Sequence, residues 1–514
     1  MIAPAIGYEY WTAHRTLRVL AEMLATRGHG VLRFDYDGHG DSAGESWDSD
    51  RVTSWRQSIV HAVSVARATG VRDITLVGLR MGATLALTEA QAVGADRVVA
   101  WAPITSGKRY MKEMRMLGLS VPDSVARPVA EGTVIYAGTV VSPDTAADLA
   151  QINLEQMEPI PSARLLLVAR TDHACDKLAT HLVAGGGDVQ LEELAGAETA
   201  LDTPTEGATV PTEILDVITG WIGDASASAV APTVPVPPTL AKLRWNGGEI
   251  IEEVLPLGEL ELIGVCGRPA SAAENGTVVV FLNSGSEPHV GPGRCWVEYT
   301  RELNLHGYAT VRLDFSGWGE SPDLDHAPGR PYDEHCIAET LAVVAALRRA
   351  GHRRVVLAGL CAGAWVGMRA ALQASVDAVI AINPQLYWKP GEPLDIRITD
   401  TAVRRTPIRR REARLGRWGL WSLLDAMGMT NYAGRWLARL VRDRTHVLLL
   451  FAEGDEGLVY LHNRLRRRLD RVLRAGTIEL VQIPDIDHQM YRGWRRGEVV
   501  ASMRIYLDAL PDSA

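Results

Sequence analysis

Apolar residues in this chain gather in short unbroken runs rather than in strict alternation. Ile74-Thr-Leu-Val-Gly-Leu79, Leu165-Leu-Leu-Val-Ala169, Val355-Val-Leu-Ala-Gly-Leu360 and Leu448-Leu-Leu-Phe-Ala452 each stop at a charged or turn-forming residue. Runs of that kind predict strands buried on both faces, as in a parallel sheet. Longer segments with helical spacing, such as Arg15 to Arg27 and Trp296 to His306, lie between them. Alternating strands and helices predict an α/β architecture, a mostly parallel sheet with helices on both faces.

The pattern then repeats. Arg33-Phe-Asp-Tyr-Asp-Gly-His-Gly-Asp-Ser42 matches Arg312-Leu-Asp-Phe-Ser-Gly-Trp-Gly-Glu-Ser321, and Ile74 to Ala83 matches Val355 to Ala364. Leu165-Leu-Leu-Val-Ala-Arg-Thr-Asp172 matches Leu448-Leu-Leu-Phe-Ala-Glu-Gly-Asp455. Three matches in one order imply two copies of one fold, and 514 residues are enough for two cores. Between the copies, Gly223 to Leu240 reads GDASASAVAPTVPVPPTL, the composition of an extended tether. The expected domains are therefore 1–222 and 241–514, joined by a linker over 223–240. Before its landmark loop the second copy has about 70 residues, including strand-like Glu249 to Val254 and Val278 to Leu282, whereas the first has only about 30. The first copy is expected to have lost its leading strands, or Met1 to be a misplaced start.

Candidate chemistry sits at the strand ends. Gly359-Leu-Cys-Ala-Gly363 places a cysteine on a sharp strand-to-helix turn, where small neighbours admit close backbone approach and the helix N-terminus favours a thiolate. A thiolate nucleophile needs a base, and the base needs an orienting group. Asp455 ends an apolar run downstream, and His488 closes Ile483-Pro-Asp-Ile-Asp-His488. The first copy reads Gly78-Leu-Arg-Met-Gly82, with Arg80 at the turn, and a guanidinium cannot attack a carbonyl. Asp172 survives there, while aligning the following strands puts Thr199 opposite His488. The first copy is read as non-catalytic, with Arg80 expected to pair with Asp172 or, alternatively, to hold an anion. The glycines of the two Asp-x-x-Gly-x-Gly-x-Ser loops are read as turn geometry rather than a phosphate cradle.

Taken together, these features resemble the α/β-hydrolase superfamily. The Gly-x-Cys-x-Gly turn is similar to that of dienelactone hydrolases, polyhydroxyalkanoate synthases and aminoacyl shuttles, and the N-terminal Gly-Tyr-Glu-Tyr and Gly-Leu-Arg-Met-Gly-Ala look like the exosortase-associated hydrolases. The resemblance implies two tandem α/β-hydrolase domains, each with a helical lid insert. It implies a triad in the order nucleophile, acid, histidine: Cys361, Asp455 and His488, with Glu456 the main rival acid and Asp485 and Asp487 behind it. It implies an oxyanion hole from the backbone N–H of Ala362 and one from Asn283-Ser-Gly-Ser286, either Gly285 or Ser286. The lid of the second copy would lie where Arg404, Arg405, Arg409, Arg410, Arg411, Arg414 and Arg417 precede Trp418, Leu420 and Trp421. A basic rim over an apolar lid suits an acyl chain on an anionic carrier protein; the alternative is a solvated helix face.

Leaving-group chemistry narrows the substrate. A cysteine that attacks an alkyl ester is itself the better leaving group, so the adduct reverts, whereas a thioester exchanges one thiolate for another. The expected function is acyl transfer through an acyl-cysteine, from a thioester or activated ester to an acceptor or water. The alternatives are an ester or lactone hydrolase and a non-catalytic binding protein or scaffold. Composition adds exclusions. Lys+Arg 53 against Asp+Glu 62 gives a net charge of -9, which argues against nucleic acid as a partner. Five scattered cysteines without a CxxC pair indicate neither disulfides nor zinc, and no cofactor or metal motif occurs. No apolar run has the length of a membrane span, and the expected setting is cytoplasmic.

Overall fold

The computed structural model describes residues 1–119, 129–172, 175–225, 240–271, 275–323, 331–387 and 432–511. It divides into two compact units, Met1–Thr239 and Leu240–Ala514. Most of the expected linker, 226–239, lies outside the described residues, and Leu240, assigned to its end, begins a strand.

The first unit holds β1 (Ile2–Ala3), β2 (Thr75–Leu79), β3 (Arg97–Trp101), a small antiparallel pair β4 (Val134–Tyr136) and β5 (Thr139–Val141), then β6 (Arg164–Arg170) and β7 (Asp188–Leu194). Its main sheet is parallel throughout, in the order β1-β2-β3-β6-β7. The second unit opens with an antiparallel meander, β8 (Leu240–Trp245), β9 (Gly248–Leu257) and β10 (Leu262–Pro269). Six mutually parallel strands follow: β11 (Thr277–Phe281), β12 (Ala309–Leu313), β13 (Arg354–Leu360), β14 (Ala378–Ile382), β15 (His446–Ala452) and β16 (Ile478–Ile483). The sheet order is β16-β15-β14-β13-β11-β12-β10-β9-β8.

The central strands β11 and β14 are buried at every residue, which accounts for their unbroken apolar sequence. One face of the second sheet packs Trp365, Leu357 and Val379 into the larger core, and the other packs Trp296, Phe281 and Ile380 under the C-terminal helix Arg496–Ala509. Strands β1, β2, β3, β6 and β7 correspond in order to β11, β13, β14, β15 and β16. The first unit has no described counterpart of the antiparallel meander, and the segment matching β12 is reduced to a single bridge between Ile2 and Arg33. The two Asp-x-x-Gly-x-Gly-x-Ser loops are turns folded over a carboxylate. A Cβ on Gly319 would sit 2.0 Å from Asp314 Oδ2, and one on Gly40 2.0 Å from Asp35 Oδ2. Ser321 and Ser42 close their loops by donating to the carbonyls of Asp314 and Asp35 at 2.6 and 2.8 Å.

The expectation of a purely helical insert in each copy needs correction in the first. Between β3 and β6 it carries the helices Gly107–Leu119 and Pro143–Gln151, with the β4–β5 hairpin between them. Val134-Ile-Tyr-Ala-Gly-Thr-Val-Val141 puts Ala137 and Gly138 at positive φ, 40° and 79°, the geometry of a two-residue hairpin turn. In the second copy the corresponding region spans 388–431, so Arg404, Arg405, Arg409, Arg410 and Trp418 lie outside the described residues.

Candidate active site

Both units turn from strand to helix at a strained residue. Cys361 has φ 54° and ψ −106°, and Arg80 has φ 55° and ψ −116°, a region that non-glycine residues rarely occupy. The surrounding packing holds them there. Cys361 N–H donates to the Ile382 carbonyl at 3.0 Å and Arg80 N–H to the Trp101 carbonyl at 2.9 Å. A Cβ on Gly359 would lie 2.3 Å from the Gly363 carbonyl carbon, and one on Gly363 would lie 2.6 Å from Asn283 O. Glycine is required at both ends of the turn because the helix Ala362–Ala371 starts in contact with β13 and with the loop after β11.

In the second unit the remaining groups converge. Asp455, at the end of β15, is buried and begins the helix Glu456–Leu465; its Oδ1 accepts the Gly457 N–H at 2.8 Å. Its Oδ2 lies 2.5 Å from His488 Nδ1. One carboxylate thus caps a helix and orients an imidazole. His488 follows β16; with Nδ1 taken by Asp455, Nε2 is the ring nitrogen left for the thiol, and Cys361 is close enough to raise the basicity of the ring. Burial alone would lower the basicity of this imidazole, yet its bonds to Asp455 and to Cys361 push it up to about 10 from 6.5. These neighbours favour the protonated ring, the form that would accompany a thiolate. The rival acids are engaged elsewhere. Glu456 is exposed, Asp485 pairs with Arg492, and Asp487 accepts the backbone N–H groups of Gln489, Tyr491 and Arg492.

Ala362 is the first residue of its helix, where a backbone N–H has no intrahelical acceptor. Gly285, at φ 58°, and Ser286 are the central residues of a turn closed by Glu287 N–H on the Ser284 carbonyl, 3.1 Å. Asn283 fixes that turn by donating to the Glu287 carbonyl at 2.8 Å and to Asp314 Oδ1 at 2.9 Å.

Three residues that strand pattern and motif did not single out belong to the site. Asn383, at the end of β14, donates from Nδ2 to the His488 carbonyl at 2.9 Å and accepts the Ala452 N–H at 2.8 Å, so it fixes the histidine loop to β15. A polar residue ending the wholly apolar strand Ala378–Ile382 was the available signal. Tyr332 Oη lies 3.2 Å from Cys361 Sγ and donates to Gln385 Oε1 at 3.1 Å. Nothing in the sequence around Tyr332 or Gln385 marks them.

The first unit brings none of these groups together. Arg80 does not pair with Asp172: its Nε donates to Glu9 Oε1 at 2.6 Å, with both side chains buried, and its Nη1 contacts the Ala102 carbonyl. Burial works against that charge, and Glu9 more than restores it, raising the guanidinium further. Asp172 is half exposed and is gripped by Arg170 through two bonds of 2.9 Å. Thr199 donates to the carbonyl of its neighbour Gly196 at 2.7 Å. Ala102 stands where Asn383 stands in the second unit; each has positive φ, and each donates to the adjacent strand, to the carbonyls of Val168 and Leu450. Tyr110 and Tyr136 are buried over the turn, close enough for Glu9 to raise both phenols on top of the larger effect of burial.

Among the described residues, no three His, Cys, Asp or Glu side chains form a group that would hold a metal ion. No helix among them is long and apolar enough to cross a membrane.

The α/β hydrolase family matches residues 279–506, and the family described as serine aminopeptidase, S33, matches residues 11–134. Similar solved structures include a dienelactone hydrolase from Anabaena variabilis, 14% identical with a TM-score of 0.34, covering 53% of this chain and 99% of its own. An esterase from Pyrococcus furiosus is 16% identical with a TM-score of 0.35, covering 54% of this chain and 98% of its own. A serine hydrolase without a lid from Xanthomonas campestris is 16% identical with a TM-score of 0.31, covering 55% and 100%. No curated protein matches the chain in sequence. Each unit has its own family match, on a parallel sheet with the same strained strand-to-helix turn, and the chain carries two α/β-hydrolase-fold domains in tandem.

Proposed function

We propose that the second unit is an acyl-transfer enzyme working through Cys361, His488 and Asp455, and that the first is non-catalytic. The observation that carries this reading is the chain of contacts from a strained cysteine through an imidazolium to a buried carboxylate. In the first step Cys361 Sγ forms a bond to the acyl carbon and the donor thiolate leaves, taking the proton from His488. In the second, an acceptor hydroxyl, amine, thiol or water gives its proton to His488 and attacks the acyl carbon, and the Cys361 thiolate leaves. The Ala362 N–H, with Gly285 or Ser286, would hold the oxyanion in both steps. A thioester or similarly activated ester is the favoured donor, because the Cys361 thiolate would be expelled in preference to an alkoxide. The arginine-rich 404–417 segment favours a donor carried on an acidic protein.

Intact-protein mass spectrometry after incubation with a panel of acyl-thioesters tests the proposal. The wild type should gain the mass of one acyl group, and the Cys361→Ala variant none. Equal labelling of both would end the assignment.

A further inference from the structure

We infer that Tyr332 is a second hydrogen-bond donor to the Cys361 sulfur, shared with Gln385 and released or recaptured as the sulfur loses or regains its charge. The inference rests on the acyl-cysteine reading and adds to it a catalytic residue outside the triad. Three observations meet at this side chain. Its hydroxyl lies 3.2 Å from Sγ and 3.1 Å from Gln385 Oε1, so one proton faces two acceptors. Its backbone has φ 68°, the left-handed region, in a residue only 4% exposed. Its ring stands edge-on to Trp365, with centroids 5.6 Å apart, and Trp365 is buried in the helix that begins beside Cys361. A bulky aromatic held in a strained backbone and clamped by a tryptophan is placed, not merely accommodated.

The chemistry follows from what sulfur is at each stage. A phenol is a donor at neutral pH. A thiolate is a charged acceptor and takes the hydrogen bond strongly, whereas a thioester sulfur is a poor acceptor. As Cys361 forms its bond to the acyl carbon, the Tyr332 proton therefore turns to Gln385. As the acyl carbon is attacked and the C–S bond breaks, the electron pair returns to sulfur and the Tyr332 O–H returns with it. No proton leaves Tyr332 in either step. The residue lowers the cost of expelling the thiolate and so favours release of the acyl group, complementing His488, which moves the proton.

The two neighbours of the hydroxyl give variants of opposite sign. Among the described residues, the titratable groups facing the sulfur are Tyr332, in contact with it, and His488, with Asp455 behind the imidazole. In the full-length protein, the rate of Cys361 alkylation by iodoacetamide is measured against pH, together with the decay of the acyl-enzyme by mass spectrometry. Tyr332→Phe, which keeps the ring against Trp365, should move the alkylation midpoint up by about one unit and slow acyl-enzyme decay roughly tenfold, the loss of one hydrogen bond to a charged group. Gln385→Leu removes the competing acceptor and should move the midpoint down. Unchanged profiles in a folded Tyr332→Phe protein, or shifts of the same sign in both variants, overturn the inference. A wild type that is alkylated with the predicted Tyr332 dependence but never acylated by thioesters would instead end the acyl-transfer reading and leave the phenol–thiolate contact standing.

Discussion

Residue 80 and residue 361 occupy the same backbone conformation, on the same strand-to-helix turn, with the same bond to the neighbouring strand; one is an arginine and the other a cysteine. The difference teaches that the strained turn belongs to the scaffold and not to the reaction. What separates the units is the set of partners. In the second, Asp455, His488, Asn383 and Tyr332 converge on the turn. In the first, Glu9 neutralises it, and two buried tyrosines lie close enough to feel the Glu9 charge.

The comparison breaks most completely at the nucleophile. Cys361→Ala should eliminate acylation and turnover in an assay of acyl-thioester consumption, with the melting temperature nearly unchanged because only a sulfur is lost. Cys361→Ser should retain at most a small fraction of the activity, since a hydroxyl must pass its proton to a neutral imidazole as it attacks, whereas a thiolate attacks beside the protonated ring.

Asp455→Asn comes next, with a loss on the order of 10³ to 10⁴ in acylation rate from a misdirected imidazole. Asparagine still caps a helix, so stability should fall by less than activity. Glu456→Gln, on an exposed neighbour, should change the rate less than twofold, an estimate typical of surface substitutions (~0.5 kcal/mol or less). A reversed ranking would make Glu456 the acid. The same pair governs pH dependence. Because the His488 imidazolium is raised above its ordinary 6.5, its charge contributes stability that is complete below that pH and is lost as pH rises through about 10. Thermal melts across this window should show the decline, and Asp455→Asn should make it smaller and end it at lower pH.

Asn383→Ala copies Ala102 into the active unit. Loss of the bonds to the His488 carbonyl and from the Ala452 N–H should slow acylation roughly 10- to 100-fold and destabilise the unit by about 1–3 kcal/mol, measured by single-turnover kinetics and urea unfolding. The smallest effect on chemistry is expected in the other unit. Arg80→Ala should leave Cys361 acylation within about twofold while lowering the stability of the first unit by roughly 3–5 kcal/mol, because Glu9 would remain buried without its partner. Loss of acylation in that variant alone would place chemistry where the comparison places none.

Much of this was legible along the chain because it is local. The apolar runs marked the strands, the spaced glycines marked the turn, and Asp455 at a strand end and His488 after the next strand stood out as the pair that the structure brings into contact. Glu9 was not legible as the partner of Arg80, since 71 residues separate them and no motif links them, and the expected partner, Asp172, is taken by Arg170. Tyr332 and Gln385 escaped for the same reason: a phenol 29 residues from the sulfur leaves no periodic trace. The β4–β5 hairpin was missed because Val134 to Val141 is too short for its alternation to stand out among helices.

The Glu9–Arg80 pair has a consequence for how the two halves came to differ. Restoring cysteine at position 80 alone would leave the Glu9 carboxylate buried and uncompensated, and changing Glu9 first would orphan the guanidinium. Each single reversion passes through a less stable protein, and even the double reversion would meet Thr199 and Ala102 where a base and its support are needed. Changes at positions 9 and 80 should therefore be strongly non-additive, each single exchange costing more than the pair changed together.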